Sequence, residues 1–90
     1  MPNYIQLTSK TTNLPESFSV IDEKLCASLG VPCDEKRYYQ SWYDVIGYSM
    51  CNTIREVSEK VTKTLPEDTK LQAALQWLDE NYTLNAWFSH

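Results

Sequence analysis

The stretch from Ser41 to Leu65 constrains this chain most. Trp42, Tyr43, Ile46, Met50, Ile54, Val57, Val61 and Leu65 recur at three- and four-residue steps, the spacing that lines one side of a helix. Asp44, Asn52, Arg55, Glu56, Glu59, Lys60 and Lys63 fall between them and belong in water. Ser41 suits an N-cap, and Asp44 three residues later can return a bond to its amide in a variant capping box. Pro66 ends the run, because it has no amide hydrogen and biases Leu65 out of the helical region. The pattern predicts one helix of roughly six turns, about 35 Å at 1.5 Å per residue. In a chain of 90 residues everything else must pack against it.

That length makes a single domain, residues 1–90, with one core and no deep cleft between lobes. A 42% hydrophobic and 22% charged composition belongs to a globular chain. Two glycines and four prolines are too few for an all-β sandwich with many tight turns. No apolar run is long enough to cross a bilayer, and the N-terminus lacks a charged-then-apolar signal, so we expect a cytoplasmic protein without membrane contact. The net charge of −4, with Lys36-Arg37 as the one adjacent basic pair, argues against nucleic-acid binding, which needs clustered cations to neutralise phosphates.

Residues 1–13 read as an N-terminal arm: Tyr4-Ile5-Gln6-Leu7-Thr8 has β-type composition and a polar loop follows. Leu14-Pro15-Glu16 opens a helix that runs from Pro15 to Leu29 through Phe18, Ile21 and Leu25. Gly30 sits at the left-handed C-cap position and Val31-Pro32 stops the chain there. Asp34 to Gln40 reads as a short helical turn followed by a bend. Within the central helix Gly47 costs up to about 1 kcal/mol relative to Ala, which points to close approach of another helix or an indole ring. Leu65-Pro66-Glu67 repeats the earlier opening and predicts a helix from Pro66 to Asn81, with Leu71, Ala74, Leu75, Leu78 and Tyr82 on its apolar side. The tail, residues 83–90, alternates like a strand that could pair with Tyr4–Leu7. Leu84-Asn85-Ala86-Trp87-Phe88 also suits a last helical turn, and helix or irregular packing is the expectation.

The fold class is therefore mainly α: a three- to four-helix domain around one long central helix, with room for a short terminal strand. Ile21, Leu25, Leu29, Ile46, Ile54, Val57, Leu71, Leu75 and Leu78 are the expected core. The seam Tyr43, Ile46, Met50, Ile54, Val57 and Val61 approaches a heptad and outruns either flanking helix, which predicts a homodimer unless the arm or the tail covers its free end.

Catalytic chemistry has little to stand on. Cys26, Cys33 and Cys51 are an odd number without a Cys-x-x-Cys pair, so they read as small buried hydrophobes, not a zinc site or a disulfide framework. Cys33, near Lys36 and Arg37, is the expected exposed thiol. His90 is the one histidine, which leaves no internal histidine as a base. Asp22-Glu23, Asp34-Glu35, Glu67-Asp68 and Asp79-Glu80 are acidic neighbours that suit helix starts and exposed faces. Phosphate-loop, dinucleotide and zinc-protease motifs are absent from the sequence. A non-enzymatic protein without metal or cofactor is expected, with an enzyme using Cys33 or a carboxylate site as an alternative.

Aromatic density stands out instead. Tyr38, Tyr39, Trp42, Tyr43 and Tyr48 put five large rings in eleven residues, with Arg37 alongside. They cannot all point into the core of a small helical domain. Arg37, Tyr38, Tyr39, Trp42 and Tyr48 form the candidate binding patch, since Tyr, Trp and Arg are the usual interface anchors. The plainer reading has Tyr39, Trp42 and Tyr43 capping the core. A small-ligand pocket lined by these rings is a further alternative.

Ile21-Asp22-Glu23-Lys24-Leu25-Cys26, Leu29-Gly30-Val31-Pro32-Cys33-Asp34 and Trp42-Tyr43-Asp44-Val45-Ile46-Gly47 together resemble small orphan accessory proteins of bacteriophages and prophages. The resemblance spans about a third of the chain and assigns no residue a role. It implies an accessory or inhibitory protein that binds a host protein, such as a defence component.

Overall fold

Leu14-Pro15-Glu16-Ser17 and Leu65-Pro66-Glu67-Asp68 open two helices in the same way, with the N-cap two residues after the proline. Ser17 Oγ accepts from Val20 N–H at 3.4 Å, and Asp68 Oδ1 accepts from Leu71 N–H at 3.1 Å. The prolines thus precede the helices that were expected to start at them. The computed structural model describes residues 4–30, 32 and 37–87, with the backbone alone at 4, 37–41 and 87. Its elements are β1 (Tyr4–Ser9), α1 (Phe18–Leu29), α2 (Arg37–Ser49), α3 (Ile54–Thr64), α4 (Thr69–Asn81) and β2 (Tyr82–Trp87). The protein is mainly helical with a two-stranded antiparallel sheet.

The single long central helix is not formed. It divides into α2 and α3, and residues 37–40, expected as a separate turn, are the first turn of α2. Met50 takes a left-handed conformation at φ 54° directly after Ser49. Ser49 Oγ donates to Ile46 O at 2.9 Å and accepts from Cys51 N–H at 3.4 Å. Thr53 Oγ1 then caps α3 by accepting from Glu56 N–H at 3.1 Å. The apolar stripe survives the break because both helices turn it towards the same core. Of the expected seam, Ile46, Ile54, Val57 and Val61 are buried within one chain, Tyr43 is half-buried and Met50 is exposed.

The termini pair. β1 and β2 run antiparallel in a register that sets Leu7 opposite Leu84 and Ile5 opposite Ala86, a correction to the helical or irregular tail. Period-two alternation turns Ile5, Leu7, Tyr82 and Leu84 inward, where all four are buried. This sheet covers the end of the helical stripe: a Cβ added at Gly47 would lie 3.5 Å from Ile5 Cδ1. Among the described residues a strand side chain, not a helix or an indole, is what approaches Gly47.

One core joins every element. Of the expected core residues, Leu29 is half-buried and the rest are buried. α3 and α4 form the closest helix pair, with α1, α2 and the sheet closing the remaining sides. Gly30 ends α1 at φ 68°, donating its N–H to Cys26 O, as the sequence predicts.

Candidate binding face

Trp42 does not belong to a surface patch. It is fully buried, and its Nε1–H donates to Asp22 Oδ1 at 2.9 Å. Phe18 meets it edge-on with ring centroids 5.9 Å apart, and Phe18 also meets the half-buried Tyr43 at 4.8 Å. The indole is too large and too apolar to stay in water when a helix can press it onto a neighbour, and its N–H needs an acceptor once inside. Asp22 supplies that acceptor, although an acid of the Asp22-Glu23 pair suits an exposed helix face; it is 3% exposed. Its other oxygen, Oδ2, accepts from Cys26 Sγ at 3.9 Å.

Of the expected patch, Tyr48 is the residue found at the surface, 86% exposed. The side chains of Arg37, Tyr38 and Tyr39 lie outside the described residues, as does Cys33. Tyr48 stands between two hollows. On one side a hollow of about 220 Å³ is walled by Ile5, Tyr43, Asp44 and Gly47. On the other a hollow of about 210 Å³ lies between α2 and α3, with Val45, Val61 and Leu65 as its apolar wall and Asp44 and Lys60 at its rim. Lys60 Nζ donates to Ser49 O at 3.4 Å, placing a cation by the C-terminus of α2, where the helix dipole favours it. Leu65 is exposed. An aromatic ring projecting between two shallow apolar recesses, with one carboxylate and one ammonium beside it, is chemistry for contact with another surface; neither recess encloses a small molecule.

A third hollow, of about 230 Å³, has a wall about half polar and lies where the polar loop 10–13 and the chain entering α1 meet α4 and β2. Tyr82 Oη donates to Glu16 Oε1 at 2.6 Å, and Lys24 Nζ donates to both Glu16 oxygens at 3.2 and 3.0 Å. The Tyr82 hydrogen bond and then Lys24 hold the Glu16 carboxyl below its ordinary value of 4.5. Burial and then the Glu16 bond push the Tyr82 phenol above its ordinary value of 10.0. Trp77 leans on Tyr82 with ring centroids 5.8 Å apart. Glu16 is thereby held as an acceptor between two donors, an arrangement that ties β2 to the entry of α1.

The sequence reading missed Asp22 and the Glu16–Tyr82 pair. A signal existed for Asp22: it lies four residues after Phe18 and four before Cys26, on the apolar side of α1. No local signal joins Glu16 to Tyr82 across 66 positions. Cys26 is buried and Cys51 half-buried. Among the described residues no three His, Cys, Asp or Glu side chains gather as a metal site. No described helix is long and apolar enough to cross a membrane. Comparison with known proteins finds no matching family model, no matching curated protein and no matching solved structure.

Proposed function

We propose that this chain is a small non-enzymatic protein-binding module, a phage-type accessory or inhibitory protein that engages a host protein in the host cytoplasm through the face around Tyr48. The observation that carries this reading is the 86% exposure of Tyr48 between two apolar-walled recesses. A tyrosine offers a large, fairly rigid surface that gives up little entropy when fixed, and a partner ring or aliphatic chain can enter each recess beside it. Arg37, Tyr38 and Tyr39 belong to the first turn of the same helix and are the further candidates for contact, while Trp42 anchors that helix from inside. The test is capture from host lysate with wild-type and Tyr48→Ala protein, both checked by circular dichroism. A stoichiometric protein retained by the wild type and lost by the variant supports the reading; equal retention rejects this face.

The second reading, small-ligand binding, is favoured by the third hollow, whose lining includes Trp77 and the Glu16–Lys24 pair. It predicts thermal stabilisation by a polar small molecule that Trp77→Ala abolishes.

A further inference from the structure

The hydrogen-bond alternation of the sheet fixes which backbone groups face outward. Lys10 N–H donates to Asn81 O at 2.9 Å, so in the antiparallel pattern Thr8–Thr83 and Gln6–Asn85 exchange the ladder bonds. Ser9–Tyr82, Leu7–Leu84 and Ile5–Ala86 are then the pairs whose N–H and C=O groups point away from the partner strand. On β1 three of these six groups, those nearest the loop, are taken up by the chain itself, and among the described residues Leu7 N–H and the two Ile5 groups are not. Ser9 N–H donates to Leu14 O at 3.0 Å, Ser9 O accepts from Asn13 N–H at 2.8 Å, and Leu7 O accepts from Glu16 N–H at 3.2 Å. On β2, Tyr82 N–H closes α4 by donating to Leu78 O. Leu84 and Ala86 are left with their N–H and C=O groups along the outer edge, and no turn, loop or cap bond among the described residues reaches them.

Strand edges of this kind are ordinarily guarded by a charge, a proline or a bulge. Tyr82-Thr83-Leu84-Asn85-Ala86-Trp87 carries no charge, no proline and no glycine. We propose that the outer edge of β2 is an interface for a second copy of this chain, which adds its own β2 antiparallel about a twofold axis at Asn85. That register sets Leu84 opposite Ala86 of the other copy, and the reverse, so each outward N–H meets an outward C=O and no group on either residue is left over. A two-stranded sheet is marginal by itself, and the pairing makes a four-stranded one, β1-β2-β2-β1. Two copies that each carry −4 repel one another, and an uncharged edge is where they can meet at least cost. A second copy necessarily brings the same open, uncharged edge, so one pairing covers both edges at once. This interface is separate from the Tyr48 face and stands or falls independently of it.

The test is sedimentation equilibrium from micromolar to millimolar concentration on the wild type, Ala86→Pro and Asn85→Asp. Ala86→Pro removes an outward N–H while leaving the β1 ladder intact. Asn85→Asp is nearly isosteric, retains a partner for Thr8 Oγ1, which Asn85 Nδ2 now meets at 2.9 Å, and sets two like charges face to face across the axis. The wild type should rise above 10.5 kDa with concentration, and each folded variant should weaken association at least about tenfold. If Ala86→Pro fails to fold, Asn85→Asp decides. A wild type that stays at 10.5 kDa throughout overturns the proposal, and so does a folded Asn85→Asp variant that associates like the wild type.

Discussion

Trp42 Nε1 donates to Asp22 Oδ1 at 2.9 Å, joining α2 to α1 inside the core. A hydrogen bond to a carboxylate is among the stronger kinds, and cutting it takes that acceptor away from a buried indole N–H. Asp22→Ala should therefore destabilise the protein by about 1–3 kcal/mol, and Asp22→Asn, which keeps an acceptor oxygen, by less. Urea unfolding of both, with Trp42→Phe and the double variant, measures the coupling. Additive losses would show that the two side chains do not stabilise each other.

Leu75 is fully buried in α4. Leu75→Ala removes packing on several elements at once and should cost about 2–5 kcal/mol. A loss below about 1 kcal/mol would place the helix face wrongly.

Met50 and Gly47 stand in each other's preferred backbone conformation. Met50 is left-handed at φ 54°, where a side chain is strained. Gly47 lies inside α2 with room for a Cβ in ordinary contact with Ile5. Met50→Gly and Gly47→Ala should each raise stability by about 0.5–1 kcal/mol. Thermal unfolding checks both; destabilisation by Met50→Gly would mean that the Met50 side chain contributes more than its backbone costs.

Tyr82 and Glu16 give stability opposite pH dependences. The Glu16 carboxyl lies below 4.5 when folded, so its contribution is present above that pH and lost as the pH falls through the folded value. The Tyr82 phenol lies above 10.0, so its contribution is present below that pH and lost as the pH rises through the folded value. Tyr82→Phe should flatten the alkaline decline and weaken the acid one in unfolding free energies measured across pH. Unchanged slopes would contradict the pairing.

Local signals in this chain are readable, and long-range ones are not. The stripes of α1 and α4, the Gly30 cap and the core were legible because each rests on spacing within a few turns. The break between α2 and α3 was legible in principle, since Thr53-Ile54-Arg55-Glu56 has the capping-box form. A continuous apolar stripe hid it, because two helices folded onto one core keep the same period. β1–β2 pairing depends on residues nearly the whole chain apart, and composition offered strand and helix equally for the tail. The burial of Trp42 turned on finding Asp22 as its acceptor, which no sequence spacing between separate helices reveals. Tyr48 was recognisable at the surface because Ile46, two residues before it, had to face inward.

Docking of a protein partner on the face around Tyr48 is the proposal most open to direct test. A photo-crosslinking phenylalanine analogue at position 48, compared with one at the exposed Gln76 of α4, tests it most directly in host lysate. One dominant protein adduct is expected from position 48 and none from position 76. No adduct at position 48, or the same adducts from both positions, would contradict it.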